Sequence, residues 1–228
     1  MYRYLLLDFD NTLMDFNETE RIALGKTFET LFQKELTAED TALYHRINDG
    51  YWKRLERKEV NREQLKEGRF SDFIKALGLT CEDVMHVNQV YMDFLAETVV
   101  EYPEAEEACR QLSKRYKLYV ITNGTTYIQK ARYAGTGFQK HMDGIVISDE
   151  VGVDKPDPRF FDAVVKLTGD PDARHYLVVG DSLSSDIRFG KNIGADTCRI
   201  GEPTEEADFC LPGIEHLADY LAQKGGIM

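Results

Sequence analysis

The chain has 228 residues and a net charge of -12, from 28 Lys and Arg against 40 Asp and Glu. That length suits one large domain or a core with a smaller insert. The negative surface argues against nucleic acid and anionic membranes as partners, so any phosphate-bearing substrate must be met by a local cation.

The first predicted element is a short buried strand led by Tyr4. Its run of leucines is too short for a helix and stops at Asp8-Phe9-Asp10, as expected of a parallel strand whose carboxyl end faces a crevice. Open α/β sheets bind their ligands at that edge. Two such carboxylates can share a hard cation while one attacks and the other moves a proton. Taken alone, the stretch fits a helix cap or a solvated loop equally well.

The sequence then changes to helical patterns without a convincing strand, from about Phe16 to Glu97. We expect an inserted domain of four helices that bury their apolar faces against each other, the second of them with a capping signal at Thr37. The expected helices start at Glu18, Thr37, Asn61 and Thr80. The predicted division is a catalytic core of residues 1–15 and 98–228 and a helical cap domain of residues 16–97.

Strand and helix alternate after Pro103, which is the pattern of a doubly wound parallel sheet covered on both faces. The expected strands are Leu118 to Ile121, Gly144 to Ser148, Tyr176 to Val179, Thr197 to Ile200 and Asp208 to Leu211. Helices are expected over Tyr127 to Ala134, Pro158 to Leu167, Ser184 to Asn192 and Ile214 to Ala222. The fold class is therefore α/β.

Polar groups follow the later strands at points that would face Asp8 and Asp10 across one crevice. They are Thr122-Asn123-Gly124, Asp149-Glu150 and Gly180-Asp181. The carboxylates would supply the hard oxygen ligands that Mg²⁺ prefers. Lys155, kept extended by the proline after it, would supply the cation for a phosphate. The Thr122 hydroxyl and flexible backbone amides could hold phosphate oxygens.

Each of these signals also has an ordinary explanation. An Asn-Gly pair is a common turn, Lys155 fits a solvated surface lysine, and Asp186 fits the cap of the following helix. Four weak signals that fall in order at strand ends, with a crossover between each, nevertheless favour one joint site.

The cysteines Cys81, Cys109, Cys198 and Cys210 are far apart, with no C-x-x-C pair and no His at metal-ligand spacing. A reduced protein is the simplest account. The first residues lead directly into a predicted strand without a charged leader, and there is no apolar run of about 18 residues. We expect a soluble, cytoplasmic protein, and no spacing argues for or against self-association.

The motifs in order are Asp8-Phe9-Asp10-Asn11-Thr12, Thr122-Asn123-Gly124, Lys155-Pro156 and Gly180-Asp181-Ser182-Leu183-Ser184-Ser185-Asp186. This set resembles the haloacid dehalogenase superfamily, mostly phosphatases with a Rossmann-like core and, here, a helical C1-type cap. The resemblance implies that Asp8 forms an aspartyl phosphate and that Asp10 serves as acid and then base. It implies Mg²⁺ on Asp8, the Asp10 carbonyl and Asp181, with Asp186 in support. The phosphoryl group would be held by Thr122, Asn123 and Lys155.

The insert resembles the noncanonical pyrimidine 5′-nucleotidase branch at Asn48, Trp52 and Arg69-Phe70. That resemblance implies a nucleoside monophosphate as substrate, with Asn48, Trp52 and Arg69 as candidate substrate contacts. Two of them have another explanation. Trp52 also fits an aromatic side chain of the cap interior, and Arg69 also fits an arginine that orders the cap through a carboxylate.

Other functions share these core residues. A phosphoglycolate-type or sugar-phosphate phosphatase, or a sugar-phosphate mutase, would keep every one of them, and only the cap argues against these enzymes. From another class, a phospho-aspartate receiver or a binding module also places acids, Thr and Lys on a parallel sheet. A receiver is about half this length and needs no helical insert after its first strand.

Overall fold

The computed structural model describes residues 1–225, and the chain divides into two compact units. The core unit consists of Met1–Phe16 together with the chain from Val99 onward. The helical unit is Asn17–Thr98. No helix in the described part of the chain is both long and apolar enough to cross a bilayer.

The helical unit is built from four helices, all of whose residues are described. They are α1 (Phe16–Phe32), α2 (Ala38–Glu56), α3 (Arg62–Ala76) and α4 (Val84–Glu97). Thr37 and Asn61 cap α2 and α3 through reciprocal capping boxes. The fourth helix begins later than the expected Thr80, because the Asp83 side chain accepts a hydrogen bond from the His86 amide and caps the helix there.

An aromatic cluster fills the interior of the helical unit. Neighbouring ring centroids lie 5.1 to 5.7 Å apart, mostly edge to face, which is a favourable arrangement for aromatic pairs. The rings belong to Phe28, Tyr44, Phe70, Phe73 and Tyr91, all with 0% exposure. Burial of these rings holds α1, α2, α3 and α4 together.

The core unit contains one six-stranded sheet within the described residues, and every pair of neighbouring strands is parallel. The strands are β1 (Tyr4–Asp8), β2 (Lys117–Thr122), β3 (Gly144–Ile147), β4 (Tyr176–Gly180), β5 (Asp196–Ile200) and β6 (Phe209–Leu211). Their order is β3-β2-β1-β4-β5-β6, so the direction of winding reverses between β1 and β4. Ligand crevices form outside the carboxyl ends of strands at such a switch point. The doubly wound α/β fold is confirmed.

Helices cover both faces of this sheet. They are α5 (Ala105–Leu112), α6 (Thr126–Ala134), α7 (Ser148–Val151), α8 (Phe160–Thr168), α9 (Arg188–Ile193) and α10 (Leu217–Gly225). Leu5 and Leu7 of β1 belong to one buried cluster with residues of α5 and α10. Leu6 faces the other way, in a cluster with Phe160 and Phe189. Burial on both faces is why β1 is apolar without alternation.

The chain leaves and re-enters the core unit through two adjacent segments. The amide of Asp15 donates to the carbonyl of Val100 at 2.9 Å, and the amide of Tyr102 donates to the carbonyl of Leu13 at 3.2 Å. Met14 and Glu101 form an antiparallel bridge between these bonds. The two ends of the inserted unit are therefore held side by side by backbone hydrogen bonds.

Two local expectations were wrong. The strand expected to end at Ser148 ends at Ile147, because Ser148 begins the short helix α7. The helix expected over Ser184 to Asn192 is divided into a π-helical turn, Leu183–Ile187, followed by α9. The wider turn contains Asp186, whose carboxylate accepts a hydrogen bond from Lys155, a residue outside this helical segment.

Candidate active site

Lys155 lies at the centre of the crevice beyond β1 and β4. Its Nζ donates to Asp8 Oδ1 at 2.6 Å, to Asp186 Oδ1 at 2.6 Å and to the Ile121 carbonyl at 3.0 Å. Lys155 and Asp186 are each 1% exposed, which rules out a solvated surface lysine. Asp186 Oδ2 also accepts from the Ser182 amide at 3.1 Å. Asp186 therefore combines a local turn contact with an ion pair in the site.

The charged groups of this cluster shift one another's pKa values. Burial raises the pKa of Asp8 well above its ordinary value, the Asp186 carboxylate raises it further, and Lys155 opposes both. Burial would lower the pKa of Lys155, but the carboxylates of Asp186 and Asp8 outweigh it and the pKa is raised. Lys155 is therefore a permanent cation that does not fully compensate the carboxylates around it.

Asp181 follows β4 directly and completes an acidic triad. Carboxylate oxygens of Asp8, Asp181 and Asp186 all lie within 4.8 Å of one another. Burial, and then the Asp186 carboxylate, raise the pKa of Asp181 to about 7. Three oxygen donors with uncompensated negative charge suit a hard divalent cation. The donor set therefore fits the metal expected here.

Asn123 ties the second and third sequence motifs together. Its side-chain oxygen accepts from the Lys155 amide at 2.8 Å, and its side-chain nitrogen donates to the Lys155 carbonyl at 2.8 Å. The same nitrogen lies 3.3 Å from the Ser185 hydroxyl. Because both backbone polar groups of Lys155 are held, the start of its side chain is fixed against the end of β2.

Thr122 is the last residue of β2 and is 2% exposed. Its hydroxyl oxygen accepts from the Gly124 amide at 3.2 Å and from the Gln129 side-chain nitrogen at 2.7 Å. The turn after β2 is thus closed by the threonine itself, and the hydroxyl is oriented by a residue of α6.

The carboxylate of Asp10 is bound by two residues of α6. Oδ1 accepts from Arg132 Nη1 at 2.7 Å, and Oδ2 accepts from Gln129 Nε2 at 2.8 Å. Neither α6 residue was expected in the site. Gln129 and Arg132 occupy interior positions of α6 beside Ile128 and Tyr133, and the sequence carries no local signal for this, because polar side chains on a helix ordinarily face solvent.

Arg199 of β5 supports the opposite side of the crevice and was also not expected there. Its Nε donates to the Asp181 carbonyl at 3.3 Å, and its Nη1 donates to the Glu202 carbonyl at 2.8 Å. A cleft of about 440 Å³ lies here in the core unit, lined in part by Asn11, Asp181 and Arg199. The backbone that carries Asp181 is therefore held at the wall of an open cleft.

Two of the predicted substrate contacts in the helical unit lie in a buried polar network. Arg69 donates to Asn48 at 3.0 Å and to Asn88 at 2.8 Å, and Asn48 donates to Glu20 at 2.7 Å. Arg69 and Asn48 are each 4% exposed. Arg69 is linked to the Glu20 carboxylate through Asn48, which stands between them. Trp52 lies on α2 and is partly exposed.

A buried lysine and three carboxylates that meet beyond β1 and β4, at the topological switch point of the sheet, form a charged site typical of α/β enzymes. The profile of the haloacid dehalogenase-like hydrolases matches residues 2–194. The chain belongs to this family, and the predicted superfamily and hydrolase class are confirmed.

Named relatives cover most of the chain. Pyrimidine 5′-nucleotidase PynA of Streptococcus pneumoniae is 33% identical over 200 residues, covering 86% of this chain and 82% of the relative. Pyrimidine 5′-nucleotidase YjjG of Escherichia coli is 31% identical over 195 residues, covering 86% and 84%. The magnesium-bound crystal structure of the HAD-hydrolase YfnB from Bacillus subtilis superposes with a TM-score of 0.89 at 32% identity, covering 96% of this chain and 98% of that one.

Proposed function

We propose that this protein is an Mg²⁺-dependent phosphatase that hydrolyses pyrimidine nucleoside 5′-monophosphates through an aspartyl phosphate on Asp8. The observation that supports the proposed phosphatase activity is that the Lys155 ammonium lies buried between Asp8 and Asp186, beside Asp181. The nucleotide part is supported by the relatives named as pyrimidine 5′-nucleotidases.

In the first half of the reaction, Asp8 is the nucleophile. Lys155 binds its Oδ1, so the other carboxylate oxygen attacks phosphorus and forms an acyl phosphate. The bond from phosphorus to the ester oxygen breaks, and Asp10 donates its proton to that leaving oxygen. The free nucleoside departs with the proton.

In the second half, Asp10 is a carboxylate and takes a proton from water. The water oxygen attacks phosphorus, the bond to Asp8 breaks, and inorganic phosphate leaves with Asp8 restored. Asp10 has regained the proton that it gave up, so the cycle balances. Positioning and charge neutralisation are the main demands of such phosphoryl transfer.

Asp8 and Asp181 are the proposed side-chain ligands of Mg²⁺, with the Asp10 carbonyl as a further ligand and Asp186 in support. When bound, Mg²⁺ supplies positive charge that offsets the repulsion between a phosphate dianion and the Asp8 carboxylate, on the order of 4 kcal/mol per charge pair. Lys155 and the Thr122 and Asn123 turn are the proposed contacts of the phosphoryl oxygens.

Phosphate release from a substrate panel, with and without Mg²⁺, tests the proposal. The panel contains UMP, dUMP, dTMP, purine monophosphates, phosphoglycolate and hexose phosphates. We expect Mg²⁺-dependent release with a preference for pyrimidine monophosphates. Preference for phosphoglycolate or a sugar phosphate would keep the mechanism and reject the nucleotide substrate, and no release from any ester would reject the phosphatase.

Asp8→Asn tests the nucleophile, and Asp219→Asn on the exposed side of α10 is the matched control. The first variant should lose turnover and the acid-stable phosphoenzyme, whereas the control should keep both.

Asn48→Ala, Trp52→Leu and Arg69→Met test the predicted substrate contacts. A contact should raise KM for UMP at unchanged thermal stability, and a purely structural residue should lower stability at unchanged KM.

A further inference from the structure

The Arg132 guanidinium is buried beside Asp10 at 0% exposure. Nη1 donates to Asp10 Oδ1 at 2.7 Å and to Gln129 Oε1 at 3.1 Å. Within the described residues, Nε and Nη2 donate to no protein acceptor. A charge removed from water in this way is costly unless a partner compensates it, and the carboxylate of Asp10 is the partner that the structure provides.

Packing fixes the position of this guanidinium. Its central carbon lies 5.1 Å from the centroid of the Phe9 ring and 5.4 Å from that of the Phe16 ring. Rings at these distances attract a cation, and more strongly where water is excluded. Phe9 lies between Asp8 and Asp10 in sequence. The ring that holds Arg132 is therefore attached to the same short segment as both carboxylates.

Gln129 holds the other oxygen of the same carboxylate. Its Nε2 donates to Asp10 Oδ2 at 2.8 Å and to Thr122 Oγ1 at 2.7 Å. Both Asp10 oxygens are thus oriented from one face of α6, and the carboxylate is linked to the residue that ends β2. A side chain used in proton transfer needs this control, because its oxygen must meet the reacting oxygen at hydrogen-bond distance.

We propose that Arg132 and Gln129 are positioning residues that aim the Asp10 carboxyl at the leaving oxygen of the substrate. This rests on the proposed function, in which Asp10 is the acid and then the base. Both contacts are donated to Asp10, but the charged guanidinium of Arg132 lies against Oδ1 and only the neutral amide of Gln129 lies against Oδ2, so Oδ2 is the oxygen left to carry the proton that Asp10 transfers. A protonated Oδ2 keeps a lone pair for Gln129, which leaves its proton free for the substrate.

The test compares two leaving groups in single-turnover phosphorylation of the enzyme. A nucleoside monophosphate leaves as a basic alkoxide and needs the proton, whereas p-nitrophenyl phosphate leaves as a stable anion and hardly needs it. Arg132→Met should slow the nucleotide reaction about 10- to 100-fold more than the aryl reaction, which is part of the roughly 10²- to 10⁴-fold that a positioned acid contributes, because Asp10 itself is still present. KM should change little, Arg132→Lys should recover part of the loss, and Gln129→Met should show the same selectivity.

Arg110→Met, on the exposed arginine that pairs with Glu107 on α5, is the control and should keep the wild-type ratio of the two rates. Equal losses for both leaving groups in Arg132→Met would mean that the residue is only structural, and would overturn the proposal. If Arg132→Met does not fold, the same two rates are measured for Arg132→Lys and Gln129→Met. A wild-type ratio of the nucleotide rate to the aryl rate in both variants would overturn the proposal. Wild-type protein that releases no phosphate from either ester would instead reject the proposed function, and this proposal with it.

Discussion

Replacing Lys155 by Met removes the central charge of the crevice while nearly preserving side-chain volume. The substitution leaves Asp8 and Asp186 without the ammonium that lies 2.6 Å from each. It also removes the donor to the Ile121 carbonyl. Two buried carboxylates then face each other near Asp181 without the ammonium that compensates them.

The expected cost follows from the burial of this cluster. Breaking a buried ion pair by removing one partner costs about 3–5 kcal/mol, which for a chain of this length lowers Tm by roughly 6–20 °C. The loss should be smaller at about pH 6 than at about pH 8. The pKa of Asp8 is raised already, and without Lys155 its carboxyl group protonates more readily as the pH falls. Turnover should fall at least about 100-fold.

Thermal unfolding and phosphate release, each with and without Mg²⁺, measure the two effects separately. Mg²⁺ should restore part of the stability of Lys155→Met but little of its turnover, because the proposed contact of Lys155 with the phosphoryl group is still missing. Lys117→Met is the control, since this lysine is 66% exposed and pairs with Asp143 on the surface. Its effect should stay within about 0.5 kcal/mol. Unchanged stability and turnover in Lys155→Met at about pH 8 would refute the reasoning.

Three further changes test other parts of the molecule. A methyl group at Gly180 would lie 2.3 Å from the Asp186 carboxyl, so Gly180→Ala should cost about 1–3 kcal/mol and lower turnover more than tenfold. Stabilisation by Mg²⁺ should be larger at about pH 8 than at about pH 6, because the pKa of Asp181 is raised to about 7 and metal must displace its proton below that value. A hydrogen bond with Glu20 raises the pKa of His45. This contribution is complete below the ordinary histidine pKa and is lost as pH rises through the raised value, so His45→Gln should abolish a pH-dependent stability difference of less than about 1 kcal/mol.

Each of these three predictions has a control variant or a result that would contradict it. Gly25→Ala in α1 meets no atom within 4 Å and should not destabilise the protein. A Mg²⁺-induced shift in Tm that is equal at both pH values would contradict the assignment of Asp181 as a ligand. Wild-type protein and His45→Gln with parallel stability curves would show that the Glu20 contact contributes nothing measurable in solution.

The residues that meet at the strand ends could be predicted from the sequence because two rules act together. A short apolar run predicts a buried parallel strand, and parallel strands place their carboxyl ends at one edge of the sheet. These rules, applied in chain order, predict that Asp8 and Asp181 share one crevice, whereas Lys155 was predicted there from its charge. The structure brings all three together. The capping signal predicted at Thr37 is confirmed for a similar reason, since a capping box involves neighbours in sequence.

The supporting residues were not predictable from local patterns. Arg132 and Asp10 are separated by 122 positions, and helical periodicity assigns a lone arginine to the solvent face. The π-helical turn at Leu183–Ile187 was missed for the same reason. The contact from Asp186 to Lys155 is set by tertiary structure, and the local sequence does not contain it.

The paired segments around Met14 and Glu101 affect how the core can accept different inserts. Where the two ends of an insert are joined, lengthening it costs little: an eightfold longer loop adds roughly 2 kcal/mol of closure entropy. The sheet therefore depends on the junction more than on the length or content of Asn17–Thr98. Helical inserts of other sizes and surfaces could be exchanged at this junction while β1 and β2 keep their register. The helical insert and the sheet that carries Asp8 can then change independently along one chain.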